Sequence, residues 1–582
     1  MDMRKKHPSF YRSRYLSLLG SGTFTISIDY LMLLCDSIIV GQLIGQDGIC
    51  AVNMIAPLVA AATFVSCCLP EGISIMYTRA IGAMDRDRAD RLFGMGIIAV
   101  SAVSILMSFL LICFGDLYLL SCKASPEIYE LAKEYFFFLP LYAPLLIFDC
   151  YLDQIVYSDG DGLLETINYA VRIVSNVILS IVLGKLMGIR GVMLATVLSI
   201  IVSLLILVLH FFKSSNTLHF APYFSFGELV RSVKYSIPDA IVYLLWGLMD
   251  FVLIGFVSKN YGKKHLVILA VVYCLVEMSV VFDGIGMAIQ PLIGVYFGER
   301  NAVMIKKLMK DAEVTAFAEG IVSTVILLIF APQIAGLFGI RNPGILKDAV
   351  FAIRIFSLTL AASSFVMLGT AYLLYIDRVG LSVGMLCLKD GILSILLPVL
   401  FSSLFGESGL WFGFAAAPVL GALLSVLAIR IMTRGEDFPW LLQKNSCKEV
   451  FVYDAVMSPE SMTDASKKIR AMMEDRGYSK NDALQAALFV EEISTTVLER
   501  NGNDEVTAEY SLLFDDDCAR LVIRDSGVIF DVTDPDLKIT GLSSFVINGL
   551  LKAKEEKGYV PTTGYNRNMI RFDYTFSSEE QS

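Results

Sequence analysis

Charge is scarce in this chain. Asp, Glu, Lys and Arg make up 18% of its 582 residues, hydrophobic residues 55%, and the mean hydropathy is +0.65. Soluble domains carry about 25% charge, so a single soluble domain and a disordered chain are both excluded. Histidine occurs only four times, and the eleven cysteines show no paired ligand spacing. Most of them, including Cys35, Cys67, Cys113 and Cys150, sit inside apolar runs, which reads as small buried hydrophobes and not as metal ligands or disulfides. A basic stripe is missing too, which argues against nucleic acid as a partner. The first apolar run, from near Tyr15, lacks the short core and small-residue cleavage site of a signal peptide and reads as an uncleaved span.

The charge that is present is unevenly placed. From Ser446 to Ser582 there are 15 Lys/Arg and 25 Asp/Glu, which accounts for the whole net charge of −10. The chain is therefore a neutral apolar body with an acidic tail. Windows of about 20 apolar residues, enough to cross a bilayer, recur about twelve times. They lie near 14–44, 52–77, 93–115, 131–157, 163–187, 190–213, 235–259, 265–293, 311–338, 350–376, 381–405 and 409–433. Lys and Arg near the span ends favour the N-terminus inside, with Arg4, Lys5, Arg79, Arg86, Arg88, Lys306 and Lys307 on the inner side. Lys259, Lys263 and Lys264 fall outside in this topology. The expectation is an all-α, multi-pass protein of the cell membrane, surrounded by lipid, with twelve transmembrane helices and both termini cytoplasmic.

The spans repeat. Asp36-Ser-Ile-Ile-Val-Gly41 is echoed by Asp250-Phe-Val-Leu-Ile-Gly255, and Gly72 to Gly82 by Gly284 to Gly294. Tyr157 to Gly162 is echoed by Tyr375 to Gly380, and Gly191 by Gly409. Four landmarks at offsets of 212 to 218 predict two pseudo-symmetric six-helix lobes in parallel orientation. The lobes would span 1–213 and 235–435, joined by a cytoplasmic loop at 214–234.

The run Cys35 to Gly41, followed by Ala51-Val52-Asn53, Pro57, Gly72-Ile-Ser and Arg79-Ala-Ile-Gly82, resembles the multidrug and toxic compound extrusion (MATE) transporters. The resemblance covers about residues 10–435 and recurs in both halves. It implies export of small organic, often cationic, solutes by antiport with Na+ or H+. Lipid-linked-precursor flippases of the same superfamily usually have more spans and fit less well.

A charge inside a bilayer costs about 2.5–3.5 kcal/mol on insertion scales, so each needs a reason. Asp36 could hold Na+ or a proton, or could be a structural acid at a helix contact. Its position matches the first-helix acid that the family uses for its cation. Asp250, its echo, is equally open to coupling and to packing. Asp149 and Asp153, one turn apart, together with Arg172, read most simply as a buried ion network, with a cation site shared with Asp36 as the alternative. Asn176 resembles the family's fifth-helix asparagine and could supply a neutral oxygen ligand or bind a neighbouring helix. Glu277, Asp283, Arg354 and Asp390 form a second charged set. The branch with a cation site in the second lobe has an acid in its tenth helix. Here Asp250 and Glu277 remain, but the middle of the tenth window has none. The proton-coupled branch bends its first helix at a proline, and residues 11–44 contain none.

In the tail, the sequence predicts a strand from Lys448, helices over 459–475 and 481–500, and a hairpin around Asp515-Asp516-Asp517. A helix over 542–553 and a closing strand over 568–576 would complete an α+β domain at 446–582. This order resembles the Bergerat-type ATPase fold of anti-sigma-factor kinases. By that resemblance Glu492 is the catalytic acid, Thr496 replaces the Mg2+-binding Asn, Asp525 reads adenine, and Gly527 and Gly541 belong to the nucleotide loops. The second Gly of the Asp525 motif is Ile529, and the phosphate turn is not Gly-rich. The resemblance thus implies a regulatory domain that binds ATP or ADP or a cytoplasmic protein, without catalysis. The chain as a whole reads as a transporter, not an enzyme, that needs no cofactor beyond its coupling ion. A membrane-anchored ligand sensor that signals through the tail is the alternative.

Overall fold

In hydrocarbon the backbone has no water to bond, so each apolar window has to satisfy its amides internally as a helix. The computed structural model describes residues 9–44, 46–122, 126–213, 216–337, 343–443, 446–502, 504–530, 557–559 and 565–574. The side chains of residues 28–38, 41, 46, 49, 53, 263, 274, 277, 278 and 280 lie outside that description. The first lobe comprises α1 (Phe10–Leu43), α2 (Gln46–Cys67), α3 (Pro70–Gly82), α4 (Arg86–Ser121), α5 (Pro126–Phe136), α6 (Leu139–Ser158), α7 (Gly162–Met187) and α8 (Ile189–Val208). The second comprises α9 (Phe226–Asn260), α10 (Lys263–Met278), α11 (Asp283–Gly298), α12 (Ala302–Leu337), α13 (Pro343–Ser357), α14 (Leu360–Tyr375), α15 (Val379–Leu386), α16 (Ser394–Phe405) and α17 (Glu407–Met432). Among the described residues nine helices are long and apolar enough to cross a membrane, or ten if α13 and α14, bent by 44°, form one span. The two remaining windows of the expected twelve fall on α1 and on α10–α11, stretches that include side chains outside the description.

Local chemistry repeats between the lobes. Met84 and Arg300 both take a left-handed φ, near 60° and 64°. Asp85 then accepts from Arg88 N at 3.1 Å, and Asn301 from Met304 N at 3.1 Å, so equivalent turns start α4 and α12 with equivalent caps. Gly188 and Gly406 share φ values of 64° and 66° before α8 and α17. These turns set Gly82 opposite Gly298, not Gly294 as motif matching suggests. Packing agrees: a Cβ on Gly82 would meet Val295 O at 2.3 Å, and one on Gly298 would meet Arg79 O at 2.3 Å. Each helix does to its partner what the partner does to it, as a pseudo-two-fold axis requires. The axis therefore runs between α3 and α11, and the lobes are in backbone contact there.

The tail forms a five-stranded antiparallel sheet, ordered β1-β2-β3-β5-β4, from β1 (Glu449–Val456), β2 (Thr507–Phe514), β3 (Cys518–Asp525), β4 (Lys557–Tyr559) and β5 (Asn566–Asp573). Its alternation is that of a sheet covered on both faces. Leu512, Leu521, Ile523 and Ile570 share a core with Ile469 of α18 (Pro459–Asp475) and with Phe489 and Ile493 of α19 (Lys480–Asn501). The other face puts Leu513, Val522 and Met569 against Met84 of the membrane body. The expected helix at 542–553 lies outside the described residues.

Candidate functional site

Among the described residues, two polar regions inside the apolar body hold expected site residues. The first follows from the helical period of α7. Glu165, Asn168, Arg172, Asn176 and Ser180 recur every three or four residues and are all buried, forming one polar stripe. Arg172 pairs with Asp149 of α6 at 2.9 Å, and Ser203 of α8 donates to the other Asp149 oxygen at 2.7 Å. Tyr169 donates to Asp153 at 3.2 Å, and Asn176 Nδ2 reaches Thr196 at 3.4 Å while its Oδ1 is buried without a hydrogen-bond partner among the described residues. Ser21 of α1 reaches Glu165 at 3.2 Å, and at the other end Leu43 approaches Gly184. Asp36 lies on the stretch of α1 between those contacts, as Asn176 does on α7; the Asp36 side chain lies outside the described residues.

The second region straddles the seam between the lobes. Gln154 of α6 donates to Glu71 of α3 at 2.6 Å and to Gln290 of α11 at 3.1 Å, and Gln290 donates to Ser74 at 2.5 Å. Asp239 of α9 and Asp283 of α11 lie within electrostatic reach of Glu71, and Lys389 and Asp390 within reach of Asp283. Lys389 and Asp390 pair at 3.1 Å inside a π-helical turn over Cys387–Leu393, between α15 and α16. Three carboxylates from both lobes thus lie near one another, Glu71 bonded to the carboxamides, with one lysine close to Asp283. Such a set can take a cation or a proton.

The charged set expected in the second lobe is divided. Asp283 and Asp390 are near each other, but Arg354 is exposed and pairs with neither, because the buried stripe of Ala349, Ile353 and Phe356 turns it outward. Asp250 is half-buried near Tyr273, and the Glu277 side chain lies outside the described residues. Sequence reasoning missed Glu71, Glu165 and Asp239. Glu71 and Glu165 occupy first helical turns, where an acid reads as a dipole partner. Asp239 follows Pro238 near a span end. The polar period of α7 was the available signal for Glu165.

In the tail, Asp525 is buried on the last position of β3. Its Oδ1 accepts from Asn566 at 2.8 Å and from Gly527 N at 3.0 Å, while Oδ2 has no hydrogen-bond partner among the described residues. Burial pushes its carboxyl up to about 6, against the pull of those two hydrogen bonds. Thr496 is buried and donates to Glu492 O at 2.8 Å, and Glu492 is half-buried. Gly541 lies outside the described residues.

One position before Asp525 on β3, and one after Asn566 on β5, Arg524 and Arg567 face the membrane body as a register pair. Both are fully buried, and both bond Glu299, the residue after α11, Arg567 at 2.7 Å. Arg524 also meets Glu509 at 2.5 Å, and Tyr296 donates to Glu509 at 2.9 Å. Burial alone would raise the Glu299 carboxyl, but the two guanidiniums overcome it and hold it below the usual carboxylate range. No sequence pattern flagged these three residues.

Comparison with known proteins agrees with this architecture. The MatE family model matches residues 23–182 and 238–398, one segment in each lobe. The probable multidrug resistance protein YoeA of Bacillus subtilis (strain 168) is 23% identical over 357 residues, 58% of this chain and 75% of that protein. An outward-facing multidrug resistance MATE transporter of the MOP superfamily superposes with a TM-score of 0.68 at 22% identity, covering 73% of this chain and 96% of that one. A MOP superfamily transporter from Pyrococcus furiosus gives 0.65 at 22% identity, covering 72% and 95%. With more than half of the chain matched, and the match falling once in each lobe around a shared axis, the protein belongs to the MATE family of membrane transporters.

Proposed function

We propose that the chain is a twelve-span secondary active exporter of organic, often cationic, solutes, driven by antiport with Na+ or H+ in the cell membrane, with both termini cytoplasmic. The observation that carries this reading is the convergence of Glu71, Asp239 and Asp283 from both lobes on one seam. Acids shared between two symmetric halves change neighbours when the halves rock, which is what alternating access needs. Asp36, with Asn176 at a similar height on the adjacent helix, is the second candidate for the coupling ion, and the Asp149–Arg172 pair is its structural support. Asp153, Asp250 and Glu277 remain candidates for the coupling path. The experiment is dye efflux from proteoliposomes with Na+ and proton gradients imposed separately. Flux under neither gradient would count against antiport.

The tail is proposed as a regulatory domain over 446–582 with an ATPase-like fold that binds nucleotide at Asp525 without turning it over. The free Asp525 oxygen supports binding, since it can accept from an adenine amino group. Thr496 in place of an amide supports the lack of turnover. The alternative of a ligand sensor draws support from the arginine pair that ties the tail to both lobes. Ligand binding without flux in the same liposomes would favour it, and turnover of a lipid-linked substrate would favour a flippase.

A further inference from the structure

A cavity of about 680 Å³ opens between the lobes on the face that carries the C-terminal sheet. Arg79 and Arg88 line it from the first lobe, and Arg231, Lys234 and Arg300 from the second, with only Asp85 and Asp377 as lining acids. Pairing leaves the balance positive. Arg79 lies 3.9 Å from Asp377, Arg88 3.7 Å from Glu228, and Arg300 3.2 Å from Asp515 of the tail. Asp85 is engaged in capping α4. Arg231 and Lys234, neighbours on one face of α9, are exposed and have no ion pair among the described residues.

Arg79 is held rigidly. Its guanidinium lies between the rings of Tyr235 and Phe297, 4.8 Å from each centroid, and donates to Tyr235 Oη at 2.8 Å and to Tyr375 O at 2.7 Å. Its Nε is buried without a partner among the described residues. One fixed guanidinium beside two uncommitted cations suits an anion with several acceptor oxygens. The volume matches that of a small-ligand pocket, and none of Glu71, Asp239 or Asp283 lines it.

We propose that this cavity binds a phosphate-bearing anion, the phosphate being that of a soluble molecule or of a lipid headgroup. Its charges come from both lobes, so an occupant binds the closed seam better than the parted one and favours closure on this face.

The test uses the full-length protein in phosphatidylcholine nanodiscs titrated with inorganic pyrophosphate, and in mixed discs scored for phosphatidylglycerol retained by native mass spectrometry. Binding of at least one probe is expected, weakened at least ~tenfold in Arg231→Ala/Lys234→Ala. Pyrophosphate alone would assign a soluble ligand, and phosphatidylglycerol alone a headgroup. The two exposed positions are replaced without loss of an ion pair, and a second variant, Arg231→Gln/Lys234→Gln, should behave alike. The proposal is overturned if neither probe binds, or if both double variants bind as well as the parent.

Discussion

Arg567 and Glu299 join the C-terminal sheet to both lobes at once. The Arg567 Nε donates to Glu299 beside α11 at 2.7 Å, and its terminal nitrogens donate to the carbonyls of Ile81 and Gly82 in α3, each at 2.7 Å. α3 and α11 are the helices that meet on the pseudo-two-fold axis. The sheet is therefore docked across the seam that has to part when the lobes open on this side.

Removing one partner of this buried group should cost far more than removing a surface ion pair. Glu299→Ala leaves Arg524 and Arg567 uncompensated, and about 3–5 kcal/mol of docking stability should be lost. Limited proteolysis of the 433–448 connection should become faster, with Glu299→Gln intermediate. Unchanged cleavage in Glu299→Ala would refute the clamp. Glu299 is held below the usual carboxylate range, so docking should be complete above pH ~4.3, the ordinary value, and fail as pH falls through the lowered one.

Deletion of 446–582 should leave a folded body with basal flux, because the lobes pack on each other through α3 and α11 without the tail. Flux should rise if the clamp restrains opening. Loss of the folded body, seen as aggregation by size exclusion, would show instead that the sheet is structurally required.

Gly82→Val should loosen the seam itself. The nearest atom to a new Cβ is the Val295 carbonyl at 2.3 Å, which is backbone and cannot rotate away. Distances between spin labels placed on exposed positions of α4 and α12 should broaden toward an open population. A distribution identical to the parent's would contradict tight contact at this point.

Asp36→Asn and Glu71→Gln should both insert and fold while impairing gradient-driven efflux in different ways. If Asp36 carries the ion and Glu71 the solute, Asp36→Asn abolishes the response to one gradient, whereas Glu71→Gln raises the apparent KM for a cationic dye. Normal flux in both variants would remove these acids from the mechanism.

Nucleotide binding to the tail should weaken on acidification. A base amino group donates to the Asp525 carboxylate, and the carboxyl titrates at about 6, so affinity is full above that pH and falls about tenfold per unit below it. Calorimetry at several pH values should show this slope, and Asp525→Asn should abolish it. Mg2+-dependent phosphate release lost in Glu492→Ala would overturn the proposal of a non-catalytic site.

Much of this protein can be read along the chain, because the controlling physics is local. Apolar runs of bilayer length dictate helices, and the period of α7 puts Arg172 and Asn176 on one face. Alternation in 507–525 dictates a hairpin, and repeated turn residues reveal two lobes. Motif matching nonetheless paired Gly82 with Gly294, because glycine spacing alone ignores the turn after the helix; the backbone at Met84 and Arg300 corrects this.

What only the tertiary structure decided is which charges meet. Glu299, Arg524 and Arg567 look like surface residues in sequence, on a loop and on the polar face of an antiparallel sheet. Glu71 and Asp239 look like helix-end residues. Folding buries the first group where the sheet lands on α3 and α11, and faces the second across the axis. Burial and charge pairing between residues hundreds of positions apart depend on how whole helices dock, and no local period or composition encodes that.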